Sequence, residues 1–451
     1  MAERRRLLDM TSRRVALAAF SVTLLAPLVF AACSVNGRRT DFQAEGGSGP
    51  TSSSTGQGGA GQGGTGMGGD DLGFDAGNQG GSGGEGGIVN CDPGGAADDV
   101  DGDSFTEEEG DCNDCDKNRN PNAVEVPTEP GKEAFDENCN QAIDEPPAGT
   151  CDELLAVDTM EPVDGARAVG LCKQSQQIGD WGVVSAKWTV ADGSPPPVGK
   201  EVQFHLGHGM LSGFGPNVTT RHGARMLALS SGTARQPTDP GYQGVNGFVK
   251  GYTGSHPQGF PKESPACPGE TTGTPNDPTG LEVVVRVPSN AYGFSFDFNF
   301  YTFEWPNFIC SSYNDFFVAL LTPFPPGQTD GNVSYDNVGN PVSVNNSLLE
   351  VCGCEGNPPL PCEAGNKMFS CSLGNIDLIG TGFGFDGEDG MDHAATGWLK
   401  TQAPVKPGEE VTLRFAVYDS GDGSLDSTTL IDNWQWIAKP GTTVGTAPIP
   451  K

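Results

Sequence analysis

Apolar and polar residues alternate strictly from Phe294 to Phe300, where Phe294, Phe296, Phe298 and Phe300 are interleaved with Ser295, Asp297 and Asn299. A period of two marks a strand that buries one face and wets the other. The segment is therefore expected to turn its rings to a core and its polar residues to water. Four buried phenyl groups at roughly 1.5–3 kcal/mol each, an upper figure because the unfolded chain already hides some apolar surface, suffice to anchor that core. Beyond the turn-like Trp305-Pro306-Asn307 and Tyr313-Asn314-Asp315, the pattern becomes a continuous apolar run from Phe316 to Leu321, which fits a central strand covered on both sides.

Other strand-like runs between Gly, Pro and Asn turns are Gly182 to Val190, Leu281 to Val287, Val411 to Tyr418 and Leu430 to Ile437. Helical periodicity is scarce, and only Cys151 to Ala156 and parts of 164–178 suit short helices. The fold class predicted is all-β, a jelly-roll-like β-sandwich spanning 148–447.

What precedes this domain has three different compositions. Residues 1–32 carry Arg4, Arg5, Arg6, Arg13 and Arg14, then an apolar run from Val15 to Phe30, then Ala31-Ala32 before Cys33. A basic start, a short apolar stretch broken by Pro27 and small residues before a cysteine read as an export signal, too short to be a bilayer span. The end of this signal resembles a bacterial lipoprotein box, which implies lipid on Cys33. Ser12-Arg13-Arg14-Val15 also resembles a twin-arginine signal. Residues 33–90 are dominated by Gly, Ser, Thr and Gln and are predicted to be a disordered tether, with a reach of roughly 40 Å. Residues 91–147 are rich in Asp, Asn and Cys with few large apolar side chains, so ions or disulfides must hold them.

Cysteine count and charge narrow the setting. With Cys33 set aside for lipid, 12 of the 13 cysteines remain, an even number suited to disulfides in an oxidising compartment. Cys112 and Cys115, though spaced as a CxxC, are expected to be structural disulfide partners, because no second CxxC accompanies them. Loss of five arginines and two acids with the leader shifts the formal charge from −32 to −35. Such a surface repels nucleic acid and suits a protein that holds divalent cations or simply stays soluble.

Asp99, Asp101 and Asp103 stand on alternate residues of a turning loop, so that their oxygens, with the carbonyl of Phe105 and with Glu107 at the next usual position, can surround one hard cation. Asp111 flanks the place where a calcium loop has its closing glutamate, and Ser104 occupies the place of the usual glycine. The run DDVDGDSFTEEEGDCNDCDKNRNPNAVEVPTEPGKEAFDENCNQAIDE resembles the MopE-type metal-binding repeat, with Asp99, Asp101, Asp103, Asp111, Asp114, Asp136, Asn138, Asp144 and Glu145 on its acidic and amide positions. The resemblance and the all-oxygen ligand set imply calcium. Secondary candidates for calcium are Asp419, Asp422 and Asp426 in a glycine-rich loop between strands, and, with a weaker claim, Asp386, Glu388, Asp389 and Asp392.

The segments CDELLAVDT, WGVVSAKW, GFGPNV, MLALSSGTAR, NPVSVNN, the phenylalanine-rich stretch and the run from ATGWLKT to DNWQW resemble the choice-of-anchor L family. This implies a secreted or surface protein with an interchangeable anchor and brings no catalytic residue with it. Other chemistry finds little support. His205 and His208 would lie on opposite faces of a strand, with His222 a third candidate for zinc or copper. There is no GxSxG elbow, and Glu304 beside an aromatic cluster is the one carboxylate that keeps a glycosidase reading open. Trp434 and Trp436 flank Gln435 and point to one face, either as core or as a platform for a sugar ring. The function expected is that of a non-enzymatic cell-surface lipoprotein, held at the membrane by lipid and exported to the outer membrane or cell surface. It would bind calcium and act by binding or structure on a glycan or protein ligand. A surface carbohydrate-binding module is the alternative, and a secreted glycoside hydrolase a more distant one.

Overall fold

The structure is a computed structural model that describes residues 91–450 apart from 92–93, 146–148, 178, 346–347, 354–360 and 386–391. The leader, Cys33, the tether 33–90 and the acids Asp386, Glu388 and Asp389 lie outside the described residues.

The strands are β1 (Gly182–Thr189), β2 (His208–Leu211), β3 (Gly213–Phe214), β4 (Val218–Thr219), β5 (Met226–Ser230), β6 (Pro275–Arg286), β7 (Gly293–Thr302), β8 (Phe316–Thr322), β9 (Val342–Ser343), β10 (Val351–Cys352), β11 (Cys362–Ala364), β12 (Lys367–Phe369), β13 (Ala394–Ala395), β14 (Leu399–Pro404), β15 (Glu410–Ser420), β16 (Ser427–Ile437) and β17 (Gly445–Pro448). One sheet has the order β1-β6-β15-β8-β9 and the other β10-β13-β7-β16-β5-β2, with β14 pairing β7 and β17. Every pairing within these two sheets is antiparallel. The all-β sandwich expected from the strand pattern is the observed architecture.

The phenylalanine strand is its centre. Phe294, Phe296, Phe298 and Phe300 are fully buried and meet the facing sheet, Phe296 edge-on to Phe415 at 5.0 Å and Phe298 against Phe317 at 4.8 Å. The expectation for the opposite face fails, because Ser295, Asp297 and Asn299 are buried as well. The cause is a second layer. Tyr301 and Phe303 pack on that side with Phe214, Val218, Leu378 and Phe383, so β3, β4 and the loop through 376–383 cover the face that period two assigns to water. Strand β8 behaves as its composition demands: Phe317, Ala319 and Leu321 enter the central core, while Phe316, Val318 and Leu320 pack with Tyr418 and Phe260.

The helices depart further from the pattern. Cys151 to Ala156 forms turns, because buried Asp152 accepts the amides of Ala224 (2.8 Å) and Arg225 (2.6 Å) and Cys151 is bonded to Cys172. Helix α1 runs over Pro162–Val169, with proline in its first turn and Gly170 closing it at φ 107°. A second short helix, α2 (Glu201–Leu206), had no periodic signal and buries only Phe204.

The acidic segment docks on the sandwich through polar contacts. Asn290 and Val124 exchange two bonds, Val124 N–H to Asn290 Oδ1 at 2.9 Å and Asn290 Nδ2 to the Val124 carbonyl at 2.8 Å, in imitation of a strand ladder. Ser289 donates its amide to the carbonyl of Asn122 and its hydroxyl to Asn120 Oδ1, and Asn122 Nδ2 reaches the carbonyl of Gly179. The described residues belong to one unit, Asp70–Lys451.

Candidate metal sites

Residues 99–105 are wound by their own carboxylates. Asp99 Oδ1 accepts the amides of Gly102 (2.7 Å) and Asp103 (3.2 Å) and its Oδ2 that of Ser104 (3.1 Å), while Asp103 Oδ1 takes the amide of Phe105 at 2.8 Å. Short acidic side chains that bond backbone amides two to five residues ahead curl the chain into a loop instead of a helix or strand. Ser104 sits at φ 80°, the left-handed conformation that calcium loops usually assign to glycine at this place. The nearest oxygens of Asp99, Asp101 and Asp103 come within 4.8 Å of one another.

Two further acids join them. Asp111 and Asp114 are buried, and Asp101 Oδ2, Asp111 Oδ2 and Asp114 Oδ2 lack a hydrogen-bond partner among the described residues. Burial is the main cause that raises the pKa of Asp101, Asp103 and Asp111, and mutual repulsion within the group adds to it. The all-oxygen set fits a hard cation. Glu107 opens an exposed 3-10 turn, Glu107–Glu109, and is not brought into the group of close carboxylates; Phe105 is half-buried beside it. Asn120 is a residue that site-by-site reading missed. It is fully buried, donates to Asp103 Oδ2 at 2.7 Å and accepts from Ser289, and so joins the loop to the sandwich. Its signal was the Asn-Pro-x-Ala run of the resemblance.

A second acidic turn follows. Asp136 accepts the amides of Asn140 and Gln141, Glu125 those of Asn138 and Asp144, and Glu145 Oε1 the side-chain amides of Asn138 and Asn140. Glu137, half-buried beside Glu125, is pushed up to about 7, chiefly by burial. Cys112 and Cys115 are structural and not paired with each other: the bonds are Cys91–Cys115 and Cys112–Cys139. The sandwich carries Cys151–Cys172, Cys267–Cys310 and Cys352–Cys371, and Cys362 is disulfide-bonded too, so the sulfurs gathered at 352, 362 and 371 are not thiolate ligands.

The remaining candidates separate. Asp419 and Asp426 are buried, whereas Asp422 is exposed and accepts the amide of Ser424. Asp392 accepts from Asn375 Nδ2 at 2.7 Å. His205 and His208 are not on one strand as the spacing was read: α2 carries the first and β2 the second, and the junction sets Nδ1 of one 3.3 Å from Nε2 of the other. His208 is buried and stacked on Trp188 at 3.8 Å, and burial lowers its pKa well below normal, whereas His222 is exposed. Trp434 belongs to the core, stacked on Phe294 at 4.5 Å; Trp436 is half-buried, edge-on to Trp181. Glu304 is only 1% exposed.

An antiparallel sandwich braced by several disulfides is the build of a protein made for an oxidising, exported setting. Residues 269–434 match the family model of the Choice-of-anchor L domain, a match that suggests a cell-surface β-sandwich protein. The match runs from just ahead of β6 into β16, while β1, β2, β5 and β17 complete the same sheets from outside it. No curated protein and no solved structure matches the chain.

Proposed function

We propose that this protein is a lipid-tethered surface protein whose acidic segment binds calcium and whose sandwich acts by binding or as structure, without catalysis. The observation that carries the reading is the grouping of Asp99, Asp101 and Asp103, with Asp111 and Asp114 close enough to repel it and buried, unpartnered oxygens on Asp101, Asp111 and Asp114. These residues would hold the ion, with the Phe105 carbonyl as the further ligand that the spacing of the loop offers. The anchor rests on Cys33 at the end of the export signal.

A cation bound only by the folded form stabilises it by about 2.7 kcal/mol when free ion is a hundredfold above the dissociation constant. Loops of extracellular modules bind near 10⁻⁴–10⁻³ M, so the gain at millimolar calcium is modest and local. Chelation is accordingly expected to open residues 91–145 to limited proteolysis while the sandwich resists, and Asp101→Ala with Asp103→Ala should do the same in the presence of calcium. Identical digestion patterns with and without chelator would sink the reading. For the anchor, Cys33→Ser should abolish incorporation of labelled lipid and release the protein from the membrane fraction; unchanged fractionation would refute it.

A further inference from the structure

We infer a second divalent-cation site, independent of the acidic segment, at one rim of the sandwich, formed by Glu304, Asp315 and Asp419. Each stands at a strand end: Glu304 just after β7, Asp315 just before β8 and Asp419 near the end of β15, with Asp426 just ahead of β16. Strands β7 and β16 belong to one sheet and β8 and β15 to the other. The cluster therefore lies where both sheets meet under the β15–β16 connection.

The three carboxylates are closed off, Glu304 and Asp419 at 1% exposure and Asp315 at 0%. One oxygen from each lies within 4.8 Å of the other two. That spread fits inside a calcium coordination sphere, in which oxygens on opposite sides of an ion at 2.3–2.6 Å stand about 4.6–5.2 Å apart. A break in the β6–β15 register between Val417 and Asp419 aims Asp419 into the group.

A second observation points to a ligand. Neither oxygen of Asp419 nor Oε2 of Glu304 has a hydrogen-bond partner among the described residues, although all three atoms are buried. Protonated acids would be donors and would be expected to bond one another; nothing in the cluster does. Asp315 is held in place from both sides, Oδ2 by the hydroxyl of Ser427 at 2.5 Å and Oδ1 by the amide of Ser420 at 3.3 Å, and each oxygen keeps a lone pair for an ion. The nearby buried cation, Lys250, is engaged elsewhere, with Nζ on the Ser230 carbonyl (2.9 Å) and Thr279 Oγ1 (2.7 Å). It faces Asp277 and Asp426, so its charge is spent on that pair of acids.

The electrostatics agree with this placement. Burial first, and then Asp419 and Asp422, push Glu304 up to about 9. Burial, Asp315 and Asp422 push Asp419 up to about 10, and the amide of Gly423, short of hydrogen-bond geometry, offsets only part of this. A divalent ion would remove both the desolvation and the repulsion. The oxygen-only donor set selects a hard cation over zinc or copper, and the site would staple the two sheets together at this rim. The exposed Asp422 adds negative charge beside it.

Terbium serves as the probe, excited through tryptophan. Trp305 is buried next to Glu304, whereas residues 91–147 contain neither Trp nor Tyr. The full chain carrying Asp101→Ala and Asp103→Ala should show saturable, tryptophan-sensitised terbium emission that excess calcium displaces and Trp305→Phe removes. Adding Glu304→Gln and Asp419→Asn, which keep shape and relieve repulsion, should weaken terbium binding by at least about tenfold. Calcium should also raise the thermal midpoint of the Asp101→Ala, Asp103→Ala chain. Terbium affinity that is undiminished in the Glu304→Gln, Asp419→Asn chain, or a midpoint indifferent to calcium, overturns the assignment. Because the acidic segment is already disabled in that background, failure there leaves the calcium reading of residues 99–114 untouched.

Discussion

Alanine at Phe296 is expected to lower the unfolding free energy by about 3–5 kcal/mol, the range for truncating a fully buried phenylalanine whose surroundings relax only in part. Phe296 has no exposure and is held from every direction, by Phe294 at 6.4 Å and Phe298 at 6.1 Å along its strand and by Phe415 at 5.0 Å across the sheets. None of these rings can follow the vacated volume without leaving its own partner: Phe294 is stacked on Trp434 and Phe298 packs on Phe317. Denaturant unfolding under non-reducing conditions should show the loss as a lower midpoint at unchanged slope. Met368→Ala, at a side chain 66% exposed on β12, should stay within about 0.5 kcal/mol. A Phe296→Ala loss below about 1 kcal/mol would mean that the sheets do not share this core.

The phenyl face of β7 was legible because alternation reports which residues share a side of a strand. It does not report what covers the other side. Asp297 and Asn299 read as wet because polar residues in a period-two strand usually are. Here, residues distant in sequence meet them, Arg221, Lys400 and Asn433 at Asp297 and Thr396 at Asn299, and no local pattern announces those contacts. The cation candidates divide in the same way. Asp99, Asp101 and Asp103 are close in sequence and are brought together by their own side-chain bonds, so spacing alone could find them. Glu304, Asp315 and Asp419 are separated by whole strands and meet only through the pairing order of two sheets. Asp419 was visible as an acid in a glycine-rich loop, but the carboxylates that it meets most closely are Glu304 and Asp315, not its expected companions Asp422 and Asp426. The histidines show the cost of a wrong local assignment: HxxH read on a strand separates the rings, and a helix ending between them brings them together.

Asp432 should make the protein less stable as the pH rises from about 4 to about 7. Its carboxyl lies on β16 opposite Asp297 on β7, and burial first of all, with the charge of Asp297 adding to it, pushes it up to about 7 from the ordinary 3.8. Three amides oppose that shift, those of Arg221 (2.6 Å) and His222 (3.2 Å) on Oδ2 and that of Asn433 (2.6 Å) on Oδ1. The nearby cations are committed to Asp297, Arg221 Nε at 3.3 Å and Lys400 Nζ at 3.6 Å. With the folded pKa above the unfolded one, the native state keeps a proton that the unfolded chain has lost between these two values. Protons bound by the unfolded state are then fewer, and stability falls with pH at about 1.4 kcal/mol per unit. Over roughly three units the loss approaches about 4 kcal/mol, and it is complete above pH 7, where both states are ionised. Asn in place of Asp432 cannot ionise; it would also turn one accepting oxygen into a donor facing backbone amides, an offset that does not change with pH. The measurement is therefore the stability of wild type minus that of Asp432→Asn at a series of pH values with chelator present, a difference in which acids titrating elsewhere cancel. It should decline between pH 4 and 7 and level off above; a difference flat across that window would show that the three amides hold Asp432 ionised.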